Sequence, residues 1–363
     1  YRDADGVFRR AAGEPATPVT SYELPVTFWL PLEGVPPYPT LVYGHGLSGG
    51  RTQARRLAEF AAPEGFATVA TDALVHGEHP TNPQPGATSL AVVLRFFAIG
   101  DLGERALHAT KLRDHFRQTT WDRLQLTRLL AENPDVTNDG VPDIAGDRLS
   151  YLGVSLGGLM GPELIAATDA YGAAVLVVPG GRVSTIISDS ALFGRLVTLL
   201  RPRGTTEGDV RRFFPVLQTV LDAGDPASYG AHTLSDRFAH APRVPSVLVG
   251  VVLDDEVVPN VSSYVLGRAL GIPIVEPLLR AEVGFEVVTG PVSGNFAGGA
   301  ATGGLLQFDL VGDGAGGVEP ATHDNVGDSD VGAAAWLDFL CTHHRDGLAV
   351  VRDPYAAIGF PRP

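Results

Sequence analysis

Leu149-Ser150-Tyr151-Leu152-Gly153-Val154-Ser155-Leu156-Gly157-Gly158-Leu159-Met160-Gly161 runs from an apolar strand into a small-residue helix through one serine. Residues 149–153 read as a buried strand and 156–167 as a helix, with Gly153 and Gly157 flanking the turn. Glycines are needed there because strand and helix must pack tightly on both sides of a strained corner. Such a corner presents Ser155 at the end of a sheet. It also aims the first N–H groups of the helix at negative charge developing in front of the serine. The same G-x-S-x-G spacing occurs at Gly46-Leu47-Ser48-Gly49-Gly50, and in a chain with 44 glycines spacing alone carries little. Context separates the two. Ser48 follows a strand, but its turn holds extra glycines and its helix starts late, which suits a loop of backbone donors better than a nucleophile.

Outward from this corner, strands and helices alternate. Strand-type runs stand at 22–30, 40–43, 66–70, 173–178, 246–252 and 304–310, the last before a long loop. Helical patterns stand at 52–62, within 88–132 (strongest over 116–130) and at 327–344. The alternation predicts an α/β fold, a mostly parallel sheet flanked by helices. It stops between Pro179 and Pro245, where helical segments at 191–200 and 210–221 are too long an interval for a simple crossover. These predict a helical cap, residues 182–242, inserted between strands of a core made of 1–181 and 243–363. The glycine-rich run 290–304 reads as a loop.

Composition narrows the function. At 44% hydrophobic and 19% charged, the chain can bury a large core and is not disordered overall. A formal net charge of −14 argues against nucleic acid as partner. No apolar run is long enough to predict a membrane span. The single cysteine, Cys341, has no intrachain partner. Lys111 is the only lysine among 27 basic residues, which reads as codon usage ahead of heat adaptation, of which arginine preference is a weak marker. The chain begins at Tyr1 with no basic and apolar leader, so the expectation is a processed protein, secreted or extracytoplasmic.

A serine needs a base within hydrogen-bond reach, and the base needs a group to orient it. After the cap, an apolar strand ends in Asp254-Asp255-Glu256-Val257-Val258-Pro259. Asp255 is the expected acid, with Asp254 as its alternative and a solvated acidic turn as the plain reading. His323, in a loop before the last helix, is the expected base; His343 and His344, near the end of that helix, read as structural. Two N–H donors for an oxyanion are expected from Leu156, directly after the serine, and from Leu47, after His45-Gly46. On the cap, Leu192, Phe193, Leu196, Phe213, Phe214 and Leu217 are expected to form an apolar acyl site, although ordinary core packing explains each residue singly. His45 is placed with the substrate-binding residues. Asp135-Val136-Thr137-Asn138-Asp139-Gly140-Val141-Pro142-Asp143 spaces oxygen ligands like the start of a calcium loop but lacks the distal glutamate. A structural Ca2+ on Asp135, Thr137, Asp139 and Asp143 stands against a plain Asp/Asn/Gly turn. His76-Gly77-Glu78-His79 is only a weak hint of zinc.

With these residues in place, the chain resembles α/β-hydrolases of the bacterial esterase and lipase kind. The resemblance is carried by Gly44-His45-Gly46-Leu47, Asp72-Ala73-Leu74-Val75-His76-Gly77, Gly153 to Gly157, the D-x-x-V-P run from Asp255 to Pro259, and His323. It covers roughly residues 21–345, least clearly in the cap, and follows that family's order of serine, acid, histidine. It implies hydrolysis of a small-molecule or polymeric carboxylic ester through an acyl-enzyme, polyesters included, with no cofactor required. Asp324 after the base and Val154 before the serine depart from common forms and leave the substrate class open. A peptidase or amidase using the same triad, and a non-catalytic binding protein on this fold, are the competing readings.

Overall fold

The computed structural model describes residues 1–3, 5–8, 17–99 and 106–360. The chain enters through β1 (Val26–Trp29), β2 (Tyr38–Gly44), α1 (Ala54–Ala61) and β3 (Ala67–Thr71), then α2 (Ser89–Phe96) and α3 (Ala109–Ala131). β4 (Ile144–Val154), α4 (Leu156–Ala166) and β5 (Tyr171–Val177) form the centre. Four helices follow: α5 (Val183–Asp189), α6 (Ala191–Leu200), α7 (Glu207–Leu221) and α8 (Pro226–Leu234). Next come β6 (Ser246–Val252), α9 (Asn260–Leu270), β7 (Ile274–Val275), β8 (Val287–Val288) and β9 (Gly303–Phe308). A hairpin of β10 (Leu310–Gly312) and β11 (Val318–Pro320) precedes α10 (Asp330–Asp346) and α11 (Pro354–Ala357).

Nine strands form one sheet in the order β1-β3-β2-β4-β5-β6-β9-β7-β8. Among the described residues, β1 is the only strand of this sheet that runs antiparallel to its neighbour. Every residue of β5 and β6 is buried, as expected of parallel strands covered on both faces. Side chains alternate between two cores. Leu41, Tyr43 and Leu152 face Leu57, Trp336 and Phe339 from α1 and α10. Val42 and Tyr151 face Leu126, Leu164, Leu234 and Leu266 from α3, α4, α8 and α9. A third apolar cluster joins Leu156 and Met160 to Phe96, Phe193, Leu217 and Leu221, which seats α5–α7 over the C-terminal end of β4.

Several expectations need correction. The helical run 88–132 is two helices, because Phe97 and Ala98 turn the chain out of α2. The 304–310 strand ends at Phe308, and the β10–β11 hairpin lies beyond it. The glycine run 290–304 ends inside β9, where Gly303 and Gly304 give room to Phe296 and Val275. The expected cap boundary at 242 takes in too much: α8 packs on α4 and α9 and belongs to the helix layer of the core. The short strands β7 and β8 and the helix α9 have no counterpart in the sequence reading.

Glu163 on α4 stands out in this helix layer. Thr120 Oγ1 donates to its carboxylate at 2.9 Å, and burial pushes its pKa up to about 7. The folded chain therefore holds this proton more tightly than the unfolded one. The stability it contributes is complete below the ordinary carboxylate range and is lost as pH rises toward 7. Glu163→Gln, which keeps the shape without the charge, is expected to raise the thermal midpoint by a few degrees at pH 8 and to change it little at pH 5. Calorimetric unfolding at the two pH values checks this; equal shifts at both would refute it.

Candidate active site

Ser155 and Asp255 follow the C-terminal ends of the parallel strands β4 and β6, where open α/β sheets place their sites, and His323 reaches the same edge from the segment after β9. Ser155 follows β4 at φ 54° and ψ −116°, a positive-φ conformation costly for a non-glycine residue. Its N–H donates to Val177 O at 2.9 Å, and Tyr151 Oη donates to Gly157 O at 2.7 Å, pinning the corner from both sides. A Cβ on Gly157 would collide with the Gly44 backbone, and one on Gly153 with Gly157 itself. The two glycines read from the sequence are therefore required by close approach of α4 to β2 and β4.

His323 leaves the β10–β11 hairpin and points its Nε2 at Ser155 Oγ, 2.8 Å away. Its Nδ1 lies 2.8 Å from Asp255 Oδ2 and 3.0 Å from Oδ1. A carboxylate only accepts, so Nδ1 carries the proton and Nε2 accepts from the Ser155 hydroxyl. All three side chains are buried to within a tenth of their surface. Asp255 is itself held: Oδ1 accepts from the Val257 and Val258 N–H groups, each at 2.8 Å. Asp254 points the other way, to a bidentate pair with Arg280 at 2.8 Å that holds its carboxyl below the ordinary range. Ser48 lines the same cleft, but the bond from His323 goes to Ser155.

A parallel sheet in this strand order, a strained serine between β4 and α4, and an acid and a histidine in that chain order decide the architecture. This is the α/β-hydrolase fold. No protein-family model matches the chain, and no curated protein matches it. Among solved structures, the chain is similar to an acylaminoacyl peptidase from Pyrococcus horikoshii at 12% identity and a TM-score of 0.47, over 84% of this chain and 36% of that one. It thus spans about a third of that peptidase's length. It is also similar to an acetyl xylan esterase from Paenibacillus sp. R4 at 18% identity and a TM-score of 0.46, over 73% of both chains. Acetyl xylan esterase 1 from Thermoanaerobacterium sp. JW/SL YS485 gives 15% identity and a TM-score of 0.46, over 83% of this chain and 74% of that one.

The hydrolase-fold site opens into a cleft of about 450 Å3 lined by Leu47, Ser155, His323, Val93, Leu192 and Val257, with Asp324 and an Arg56–Asp328 ion pair at 2.6 Å. Leu156 is the first residue of α4, and Gly46 sits beside the Ser155 Cβ. Among the described residues, neither the Leu47 nor the Leu156 N–H donates to a protein acceptor.

His45 does not line this cleft, which corrects its place among the substrate-binding residues. Its ring is fully buried. Nε2 accepts from Ala73 N–H at 2.8 Å, so Nδ1 carries the proton and donates to Gly46 O at 2.8 Å. Burial, then neighbouring His76, pushes its pKa down to about 3, so the ring stays neutral and this tautomer holds. In a trans peptide the N–H points opposite the C=O. Pinning the Gly46 carbonyl on His45 therefore turns the Leu47 N–H away from His45.

Asp72, quoted in the sequence only as part of a turn, anchors the next segment. It accepts from Arg51 N–H at 2.6 Å, from Arg51 Nη1 at 2.5 Å and from Glu78 N–H at 2.9 Å.

The cap residues divide between two cavities. Leu192 lines the catalytic cleft. Phe193, Leu196, Phe213 and Phe214 line a second, apolar chamber of about 430 Å3 together with Phe97, Ile99 and Ile187, whereas Leu217 packs in the core and lines neither. Val93 and Phe97 lie one turn apart and Leu192 and Phe193 are adjacent, so one layer of side chains separates cleft from chamber. The helical four-residue spacing of Val93 and Phe97, on α2 and its C-cap, is the signal in the sequence that marks them.

The acidic loop stitches itself. Asp135 accepts from the Asp139 and Gly140 N–H groups at 3.2 and 2.7 Å, and Asp143 from those of Val136 and Thr137 at 2.8 and 2.9 Å. Thr137 Oγ1 also turns to Asp143. Among the described residues, no three His, Cys, Asp or Glu side chains are grouped to hold a metal ion.

Proposed function

We propose that this chain is a serine hydrolase of carboxylic esters. The observation that carries the reading is the unbroken line from Ser155 through His323 to Asp255, with 2.8 Å at each step. Ser155 Oγ attacks the ester carbonyl carbon while His323 Nε2 takes its proton. The carbonyl oxygen, gaining negative charge, is met by the Leu156 and Leu47 N–H groups, the latter aimed by His45. Collapse of the tetrahedral intermediate breaks the bond to the alcohol oxygen, which receives the proton back from His323. Water then enters, loses a proton to His323 and releases the acid from the acyl-enzyme. Asp255 keeps the imidazole in the working tautomer and stabilises its cation.

The apolar side chains on the cleft wall, Leu47, Val93, Leu192 and Val257, favour an ester with a hydrocarbon acyl group over a peptide. Polymeric esters are included where a chain end or loop reaches the cleft.

The test sets p-nitrophenyl esters from acetate to palmitate beside matching p-nitroanilides. Esters are expected to turn over with an optimum beyond acetate, and anilides not above the uncatalysed rate. Enzymatic anilide turnover would assign the site to amides or peptides. No turnover together with no labelling by a fluorophosphonate would leave a binding protein.

A further inference from the structure

Beside Leu192 and Phe213, which also line the cleft and the chamber, the cap carries exposed side chains that the catalytic machinery leaves unused. Residues 191–214, comprising α6, the following turn and the start of α7, hold five arginines (195, 201, 203, 211 and 212) against Glu207 and Asp209. That is a local positive excess in a chain whose net charge is −14. Arg195, Arg203, Arg211 and Arg212 are exposed, with Arg211 and Arg212 reaching Glu207 and Asp209 at 2.6 and 3.4 Å.

Large apolar side chains stand among these arginines. Leu192 and Leu199 are 50% and 49% exposed, and Phe213 and Val216 are 48% and 65% exposed. Leu192 and Leu199 lie two turns apart on one face of α6, and Phe213 and Val216 share a face of α7. Scattered single apolar residues need no explanation, but a group on one helical pair does. No single described helix is long and apolar enough to cross a membrane. α5 and α6 together have the length and apolar composition of a span, but an 84° bend separates them.

We propose that the α6–α7 face of the cap docks on an anionic lipid surface, with Leu199 and Val216 entering the acyl boundary and the arginines meeting the head groups. Exposed apolar residues bordered by arginine, without the length to span, are the features of a segment that lies in the interface plane. Charge selects this occupant and the orientation. The acidic remainder of the chain is repelled by an anionic surface, so only the cap approaches it closely. The same pose brings the rim of the catalytic cleft, at Leu192, toward the lipid. The inference does not depend on ester hydrolysis, because docking is measured without substrate.

The test is co-sedimentation of the full chain with phosphatidylcholine vesicles, with or without phosphatidylglycerol, at low and high salt. Partitioning onto the anionic vesicles is expected to exceed that onto neutral ones by about tenfold or more, and to fall as salt screens the surface. Arg195→Gln/Arg203→Gln and Leu199→Gln/Val216→Gln are each expected to lose most of it. Both variants should keep wild-type circular dichroism and turnover of soluble p-nitrophenyl esters. Absent binding, equal binding to both vesicle types, or binding indifferent to both variants overturns the proposal. So does a concentration-dependent dimer in sedimentation velocity that Leu199→Gln/Val216→Gln abolishes while vesicles go unbound, since it would assign the face to a second copy of this chain.

Discussion

Ser155→Ala is expected to lower kcat on p-nitrophenyl esters by about 10⁶-fold while leaving KM within a few-fold. Only Oγ can form the acyl bond at this site, and removing it leaves the oxyanion donors and the cleft in place. KM is therefore expected to move little, since the deleted contact matters only after attack begins. The fold is expected to survive: alanine meets the same φ of 54° as serine, and the corner is held by Ser155 N–H to Val177 O and by Tyr151 Oη to Gly157 O. A fluorophosphonate should add one phosphonyl group to the wild type, located on Ser155 by peptide mass mapping, and none to the variant. Full activity in Ser155→Ala, with loss in Ser48→Ala, would move the nucleophile to the glycine loop and end the assignment.

Asp255→Asn is expected to cost about 10⁴-fold in kcat at neutral pH. The neighbouring groups say why. Asp255 Oδ1 accepts from two backbone N–H groups at 2.8 Å, so the asparagine oxygen will stay on that side. Its NH2 is then left facing His323 Nδ1. Two donors cannot share that bond, so the imidazole proton moves to Nε2, which can no longer accept from Ser155. The neighbouring Asp254→Asn removes an exposed pair with Arg280 and is expected to leave kcat within about twofold, since exposed ion pairs contribute little. Steady-state kinetics of both variants decides the point. Equal losses would mean that the whole acidic turn, not Asp255 alone, serves the histidine.

Much of this site was legible because it is encoded locally. Gly153, Ser155 and Gly157 are contiguous with the strand and helix they join, and the same few residues carry the turn, the close packing and the exposed hydroxyl. Burial on both faces makes β5 and β6 near-continuous apolar runs, so they show in the sequence. β7 and β8, two residues each, are too short to show any period.

What the chain order by itself determined was the fold class, the strained corner at Ser155 and the regions of Asp255 and His323, since each follows from periodicity or from position after a strand. Tertiary structure alone decided which of two adjacent aspartates faces inward, because Asp254 is turned outward at φ 58° toward Arg280, 26 residues away. It also moved His45 from the substrate to the support of Leu47, because its second partner, the Ala73 N–H, lies 28 residues downstream. And it sorted the cap side chains between two cavities. Helical periodicity says which side chains share a face, but the neighbour that face meets depends on how α2 and α5–α7 pack together, which no local pattern records.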